Sequence, residues 1–162
     1  MFPSDFNHPG SIDQGELITS KDKAIEIYKH GFNCAQSIFT AYRQEEELSK
    51  EAALRLATIF GAGVACTGTG LCGAVTGALM AISMRHGRDT VEDVDAKTIT
   101  YKLGKKFMAD FKEKVGSCIC EEIIGINIGT PEKLQEARDL KLFETTCFDA
   151  VKTAADILDR LL

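Results

Sequence analysis

An uncharged stretch, residues 56–84, occupies the middle of this chain and limits the folds open to it. Four glycines (Gly61, Gly63, Gly68 and Gly70) interrupt its first half. The continuous part that follows, residues 71–84, is too short to cross a bilayer, which takes about 20 apolar residues in a helix. We therefore predict a central helix that is buried on all sides rather than a membrane span.

Small residues in this central segment predict a helix that a neighbour can approach closely. Gly73 and Gly77 stand four positions apart, a spacing that membrane helix dimers also use. The neighbour is either another helix of the same chain or, in a homodimer, a helix of a second copy.

The rest of the chain has helical apolar spacing, and no segment alternates as a half-buried strand does. Helices are predicted at about 21–30 and 34–42, then from residues 50, 91, 118, 131 and 146 onward. The sequence thus predicts an all-α single domain, residues 20–162, that forms a bundle of about six to eight helices around the Gly/Ala-rich central helix. Residues 1–19 are predicted to be a loose N-terminal arm.

Caps and core faces follow from the same patterns. Ser20 is the predicted cap of the first helix, and Asn33 with Gln36 forms a variant of the capping box at the second. Apolar spacing predicts two buried faces. These are Ala53, Leu56 and Phe60 on the third helix, and Tyr101, Gly104, Met108, Phe111 and Val115 on the fifth.

Composition excludes some classes of protein. The chain is 44% hydrophobic and 27% charged with a net charge of −5, and it has no basic block, so nucleic-acid binding is not expected. The N-terminal residues lack the apolar core of a secretion signal, which indicates a cytoplasmic protein. Its cysteines are then expected to stay reduced and to serve metal binding or catalysis rather than structural disulfides.

Four of the six cysteines follow helix-start signals. A helix N-terminus carries about +0.5 charge and stabilises a thiolate, so these thiols are predicted to have a low pKa. Four such ends together supply a charge on the order of +2. This charge would balance the charge of about −2 on an iron–sulfur cluster held by four thiolates. The four are Cys34 after Asn33, Cys72 after the glycine-rich loop, Cys120 after Ser117, and Cys147 after Thr146.

The spacing of the cysteines excludes several common sites. No Cys-x-x-Cys is present, so the chain lacks ferredoxin-type, zinc-ribbon and covalent haem motifs. The glycine loop before Cys72 lacks the Lys-Ser/Thr of a phosphate-binding P-loop. Cys66 and Cys118 are predicted to be ordinary core residues, because free cysteine is among the most buried residue types. A four-cysteine site would have to be assembled by the fold from distant segments.

The residues around the four cysteines resemble the C_GCAxxG_C_C family of redox-active proteins. The resemblance covers the chain from about residue 21 onward, and its central motif reads Cys-Gly-Ala-x-x-Gly, a departure in order from the family's label. It rests on residues 33–36 (Asn-Cys-Ala-Gln), 72–77 (Cys-Gly-Ala-Val-Thr-Gly), 120–125 (Cys-Glu-Glu-Ile-Ile-Gly) and Cys147 with its amphipathic helix. The resemblance implies a redox role for the four cysteines. A related domain lies beside haem-binding segments in split-Soret cytochromes, where an iron–sulfur centre has been suggested.

Three functions remain open at this point. The first is an electron-transfer protein whose Cys34, Cys72, Cys120 and Cys147 bind an iron–sulfur cluster. The second is a metal-free thiol–disulfide redox protein using the same cysteines. The third is a structural helical protein with buried or zinc-binding cysteines. No membrane or nucleic-acid partner is expected, and the redox partner is not specified by the sequence. The glycines predicted to lie against the cofactor are Gly70, Gly73 and Gly77.

Overall fold

Eight α-helices and no strand make up residues 18–162, the part of the chain that this computed structural model describes. The all-α prediction is confirmed, whereas the predicted arm, residues 1–19, lies almost wholly outside the described residues. A 3₁₀ turn, Thr58–Phe60, follows the third helix, and a π-helical turn, Phe143–Cys147, precedes the last. The helices are α1 (Ser20–Lys29), α2 (Cys34–Tyr42), α3 (Lys50–Ala57), α4 (Gly73–His86), α5 (Val94–Val115), α6 (Cys120–Ile124), α7 (Pro131–Asp139) and α8 (Phe148–Leu161).

Helix α4 forms the predicted centre of the bundle. Its residues 73–78 are all buried, and α2, α5 and α8 pack against it. The closest neighbour is α2, since a Cβ on Gly77 would lie only 2.7 Å from the carbonyl oxygen of Ala35. The small-residue face of α4 is therefore covered by a helix of the same chain. Within residues 18–162, none of the helices has both the length and the apolarity needed to cross a bilayer.

Local capping explains where several helices begin. Asn33 and Gln36 form the predicted box at α2, with both of its hydrogen bonds at 3.0 Å. The predicted starts of α3 and α7 are confirmed as well. At α1 the cap is Thr19 rather than Ser20, because Asp22 stands three residues after Thr19 and completes a capping box with it.

The predicted core faces are partly wrong. Leu56 and Phe60 are 54% and 37% exposed, whereas Ala57 is fully buried. On α5, Tyr101 is 61% exposed and the buried aromatic that the pattern missed is Phe107. Apolar spacing identifies a stripe along a helix, but the neighbouring helices decide which side of that stripe they cover. Small alanines on α3 fit against α2, so its larger residues face outward.

Helices α5 and α6 begin later than predicted. Helix α5 starts at Val94 with Asp93 as its cap rather than near Val91. Helix α6 starts at Cys120 rather than at Cys118, because the residues before it are extended and pair with the segment that leads into α4. This pairing brings two cysteine-bearing segments together.

Candidate functional site: a cavity lined by four cysteines

One cavity of about 780 Å³ is lined by Cys34, Cys72, Cys120 and Cys147. Cys34 is the first residue of α2, Cys72 is the N-cap of α4, Cys120 is the first residue of α6, and Cys147 ends the π-helical turn. Three of them are buried and Cys34 is half-buried. The fold thus brings together, from four distant segments, the four cysteines that the sequence singled out.

The other two cysteines do not line this cavity. Cys66 is exposed, which corrects its prediction as a core residue. It lies in the loop before α4, between the exposed residues Ala65 and Thr67. Cys118 is buried as predicted, and its thiol donates a 3.5 Å hydrogen bond to the carbonyl of Met108. The Cys118 thiol therefore has its hydrogen-bond partner outside the cavity.

The beginnings of α2 and α4 lie directly against each other. A Cβ on Gly73 would come within 3.0 Å of the Cβ of Cys34, so the missing side chain lets the two helix N-termini meet. This contact places Cys34 and Cys72 on the same cavity. Gly73 also lines it, whereas Gly70 and Gly77 do not. Those two glycines allow close backbone packing behind the site, Gly70 against the preceding loop and Gly77 against α2.

Backbone hydrogen bonds hold the segment before α4 against the segment before α6. The N–H of Cys72 donates to the carbonyl of Cys118 at 2.8 Å, and the N–H of Cys120 donates to the carbonyl of Gly70 at 3.0 Å. A hydrogen bond from its own backbone N–H thus holds each of these two cysteines in place. The pairing joins residues far apart in the chain, which local sequence patterns do not reveal.

The position of Cys147 differs from the prediction. Cys147 lies at the end of the π-helical turn that runs directly into α8, not in the first turn of a separate helix. Its N–H already donates to the carbonyl of Leu142 at 2.9 Å. Thr146, the predicted helix-start signal, forms no side-chain cap here. π-helical turns are rare, and those that occur are often found at functional sites. The turn at Phe143–Cys147 therefore supports a functional role for this segment.

Burial, more than the helix N-termini, sets the acidity of these thiols. It raises the pKa of Cys72 to about 12 and that of Cys120 to about 12. Backbone N–H groups at the start of α4 lower the pKa of Cys72 without offsetting this burial. A hydrogen bond with the Cys147 thiol, followed by burial, holds the pKa of Cys34 well above its usual range. The prediction of low-pKa thiolates is therefore wrong for these three cysteines in the metal-free protein.

The cysteines are not spaced for a single metal ion. Among residues 18–162, no three His, Cys, Asp or Glu side chains are placed to hold one. A zinc ion binds each thiolate at about 2.3 Å, which requires the four sulfurs to lie nearly in contact. An iron–sulfur cluster instead puts several iron and sulfide ions between its thiolates. Four cysteine thiolates are the usual ligand set of such clusters.

Sequence reasoning missed Tyr28, which also lines the cavity. Its hydroxyl donates a 2.7 Å hydrogen bond to the carbonyl of Phe143, the first residue of the π-helical turn. Burial, and then the nearby Cys34 and Cys147, raise the pKa of Tyr28, so the hydroxyl stays a neutral donor. Helical spacing could have placed Tyr28 toward the core, but nothing local links it to the cysteines.

The loop between α3 and α4 contains a left-handed stretch. Ala62, Gly63, Val64, Ala65 and Cys66 all have φ between +54° and +74°. For residues other than glycine this conformation costs about 1–2 kcal/mol each. Ala62 lines the cavity, so the strained loop forms part of its wall. Strain of this kind is concentrated at functional sites in folded proteins.

A comparison with known proteins fits this geometry. The family model described as "Putative redox-active protein (C_GCAxxG_C_C)" matches residues 32–161, a range that contains all four cavity cysteines. No curated protein and no solved structure matches the chain. Because the family model spans most of the sequence, the chain belongs to the C_GCAxxG_C_C family.

Proposed function

We propose that this protein is an electron-transfer protein that binds an iron–sulfur cluster through Cys34, Cys72, Cys120 and Cys147. The observation that carries the proposal is that four cysteines from four separate segments line one cavity. Four thiolates are the ligand set of the common iron–sulfur clusters. When bound, such a cluster supplies one-electron redox chemistry.

The raised thiol pKa values support a metal-bound state. Buried thiolates are unfavourable unless positive charge compensates them, and burial, followed by the neighbouring cysteines, raises the pKa of Cys72 and Cys120 to about 12. Metal ions bind the deprotonated form and release its proton, so metal loading reverses this penalty. The backbone N–H groups at the start of α4 would then donate to a thiolate instead of a thiol. The apolar side chains among those that line the cavity lower the polarity around the centre.

Iron and acid-labile sulfide analysis of the full chain, purified without oxygen, tests this function. The wild type is expected to bind iron and sulfide in equal amounts and to absorb visible light. The Cys72→Ser and Cys120→Ser variants are expected to lose most of the iron. Cys118→Ser is the matched control, because Cys118 is buried outside the cavity, and it is expected to keep the iron. An iron-free wild type with intact cysteines would overturn the proposal.

Metal-free thiol–disulfide exchange is a second candidate, favoured by one observation. The Cys147 thiol is the largest cause of the raised pKa of Cys34, which indicates that the two side chains lie close together. The raised pKa of Cys34 opposes this function, since the thiolate is the attacking species. Peptide mass mapping of oxidised and reduced protein separates the two candidates. A reversible Cys34–Cys147 disulfide in an iron-free protein supports exchange, and its absence rejects it.

A further inference from the structure

The cavity is larger than a cluster of this kind requires. A cluster of eight iron and sulfide ions, at about 30 Å³ for each water-sized particle, fills on the order of 200 Å³. The cavity measures about 780 Å³. The remaining volume falls within the range of small-molecule sites, about 300–1,000 Å³. Room for a ligand thus remains beside the four cysteines.

Aromatic side chains form much of the wall of this remaining space. Tyr28, Phe32, Phe143 and Phe148 all line the cavity, and they come from α1, the connection to α2, the π-helical turn and α8. The rings of Tyr28 and Phe148 have centroids 6.2 Å apart at an angle of 50°. Aromatic walls favour flat ring systems, which stack on them or meet their edges.

Two cations in the wall provide hydrogen-bond donors. Lys29 and Arg138 line the cavity together with one acidic residue, Glu144. Neither cation forms an ion pair within residues 18–162. The Nζ atom of Lys29 lies 5.8 Å from the ring centre of Phe148, so it is held beside the aromatic wall.

The charge in the wall favours a neutral ligand. The two cations and Glu144 leave a surplus of one positive charge, which a cluster of about −2 would more than cancel. A carboxylate or phosphate would then meet net negative charge. Neutral oxygen acceptors can still accept hydrogen bonds from Lys29 and Arg138 without that repulsion.

We propose that the cavity binds a neutral, planar aromatic molecule with carbonyl oxygens, of the quinone class, beside the four cysteines. The proposal deepens the proposed function, because it places this ligand next to the cluster, but the binding surface belongs to the polypeptide. Binding is therefore measurable in metal-free as well as in iron-loaded protein.

Equilibrium dialysis of the full chain with duroquinone tests this inference. The four methyl groups of duroquinone occupy the four ring carbons that carry no carbonyl oxygen, so the cysteines do not add to the ring. Saturable one-to-one binding is expected in both metal-free and iron-loaded protein. Decanoate, an anion without a ring, is the comparison ligand and is expected to bind the iron-loaded protein at least about tenfold more weakly than duroquinone does. Absence of saturable duroquinone binding, or tighter binding of decanoate to the iron-loaded protein, overturns the proposal.

Two variants locate the site. Leu134→Trp fills the cavity and is expected to weaken duroquinone binding more than about tenfold. Leu140→Trp, at the exposed residue that follows the same helix, is expected to leave binding unchanged. Arg138→Gln removes the charged donor and is expected to weaken binding about tenfold, with Arg160→Gln as its control outside the cavity. Unchanged binding in both cavity variants overturns the inference. Duroquinone binding without iron rejects only the cluster, and iron without duroquinone binding rejects only this ligand site.

Discussion

The contact between α2 and α4 makes Gly77 the most sensitive glycine of the central helix. A Cβ at Gly77 would lie 2.7 Å from the carbonyl oxygen of Ala35, which is backbone and cannot rotate away. A Cβ at Gly104, in the interior of α5, would lie 3.3 Å from the Cδ2 atom of Leu79, the end of a flexible side chain. The pair Gly77→Ala and Gly104→Ala therefore separates close backbone packing from helix propensity.

The expected changes in the free energy of unfolding follow from these distances. Alanine in place of glycine in a helix interior is favourable by about 1 kcal/mol, so Gly104→Ala should raise the free energy of unfolding by up to that amount. At Gly77 the same gain is opposed by overpacking of about 1–3 kcal/mol. Gly77→Ala should therefore lower the free energy of unfolding by about 1 kcal/mol. The two variants should differ by about 2 kcal/mol, or about 4–8 °C in Tm.

Urea and thermal denaturation of the metal-free protein measure this difference. The same displacement of α2 from α4 moves Cys34 away from Cys72, so iron binding by Gly77→Ala should fall as well. Equal stability changes in the two variants, or a more stable Gly77→Ala, would refute the close-packing account of the central helix.

Three further predictions concern the cavity and its wall. Ala65→Gly should raise the free energy of unfolding by about 0.5 kcal/mol, because relief of left-handed strain exceeds the added freedom of the unfolded chain; urea denaturation measures it. Tyr28→Phe should lower the free energy of unfolding by about 1 kcal/mol, because it leaves the carbonyl at the start of the π-helical turn without its donor. The metal-free protein should lose stability as the pH rises from about 8.5 toward about 12, since unfolded thiols ionise in this range while Cys72 and Cys120 keep their protons. Denaturation at a series of pH values should show a loss of up to about 1.4 kcal/mol per pH unit for each thiol.

Each of these predictions has a matched control. Ala109→Gly on the exposed side of α5 should destabilise by about 1 kcal/mol, because its backbone is an ordinary helix. A gain there, or a loss at Ala65, would contradict the strain argument. Tyr101→Phe changes an exposed ring and should have little effect, so equal losses at both tyrosines would contradict a special role for Tyr28. The Cys72→Ala/Cys120→Ala double variant should flatten the fall of stability with pH, and an unchanged slope would contradict the buried-thiol account.

The sequence predicted those features of the fold that depend on near neighbours in the chain. The capping box of Asn33 and Gln36 spans four residues, and Gly77 lies in a run of small residues, so both could be recognised from local pattern. The exposure of Leu56 and Tyr101 could not. Their burial depends on the arrangement of other helices, which a stripe of apolar residues does not contain.

In the candidate site too, the features set by near neighbours in the chain were predicted and those set by tertiary packing were not. Cys34 begins α2 as predicted and Cys120 lies in the first turn of α6, whereas Cys147 lies in a π-helical turn that no cap residue predicts. The family resemblance grouped the four cysteines, but their common cavity depends on the backbone pairing before α6 and on Gly73 in α4. The thiol pKa was predicted in the wrong direction, because burial is a tertiary property that outweighs the local helix N-terminus at Cys72.

Native mass spectrometry of the full chain, purified without oxygen, tests the central claim most directly. If Cys34, Cys72, Cys120 and Cys147 bind a cluster, the native mass exceeds the polypeptide mass by equal numbers of iron and sulfide ions. Mutation of any one of the four to serine should then remove most of that increment, whereas Cys118→Ser should retain it. A wild-type mass equal to that of the polypeptide alone, with all six cysteines still open to alkylation after unfolding, would contradict the account.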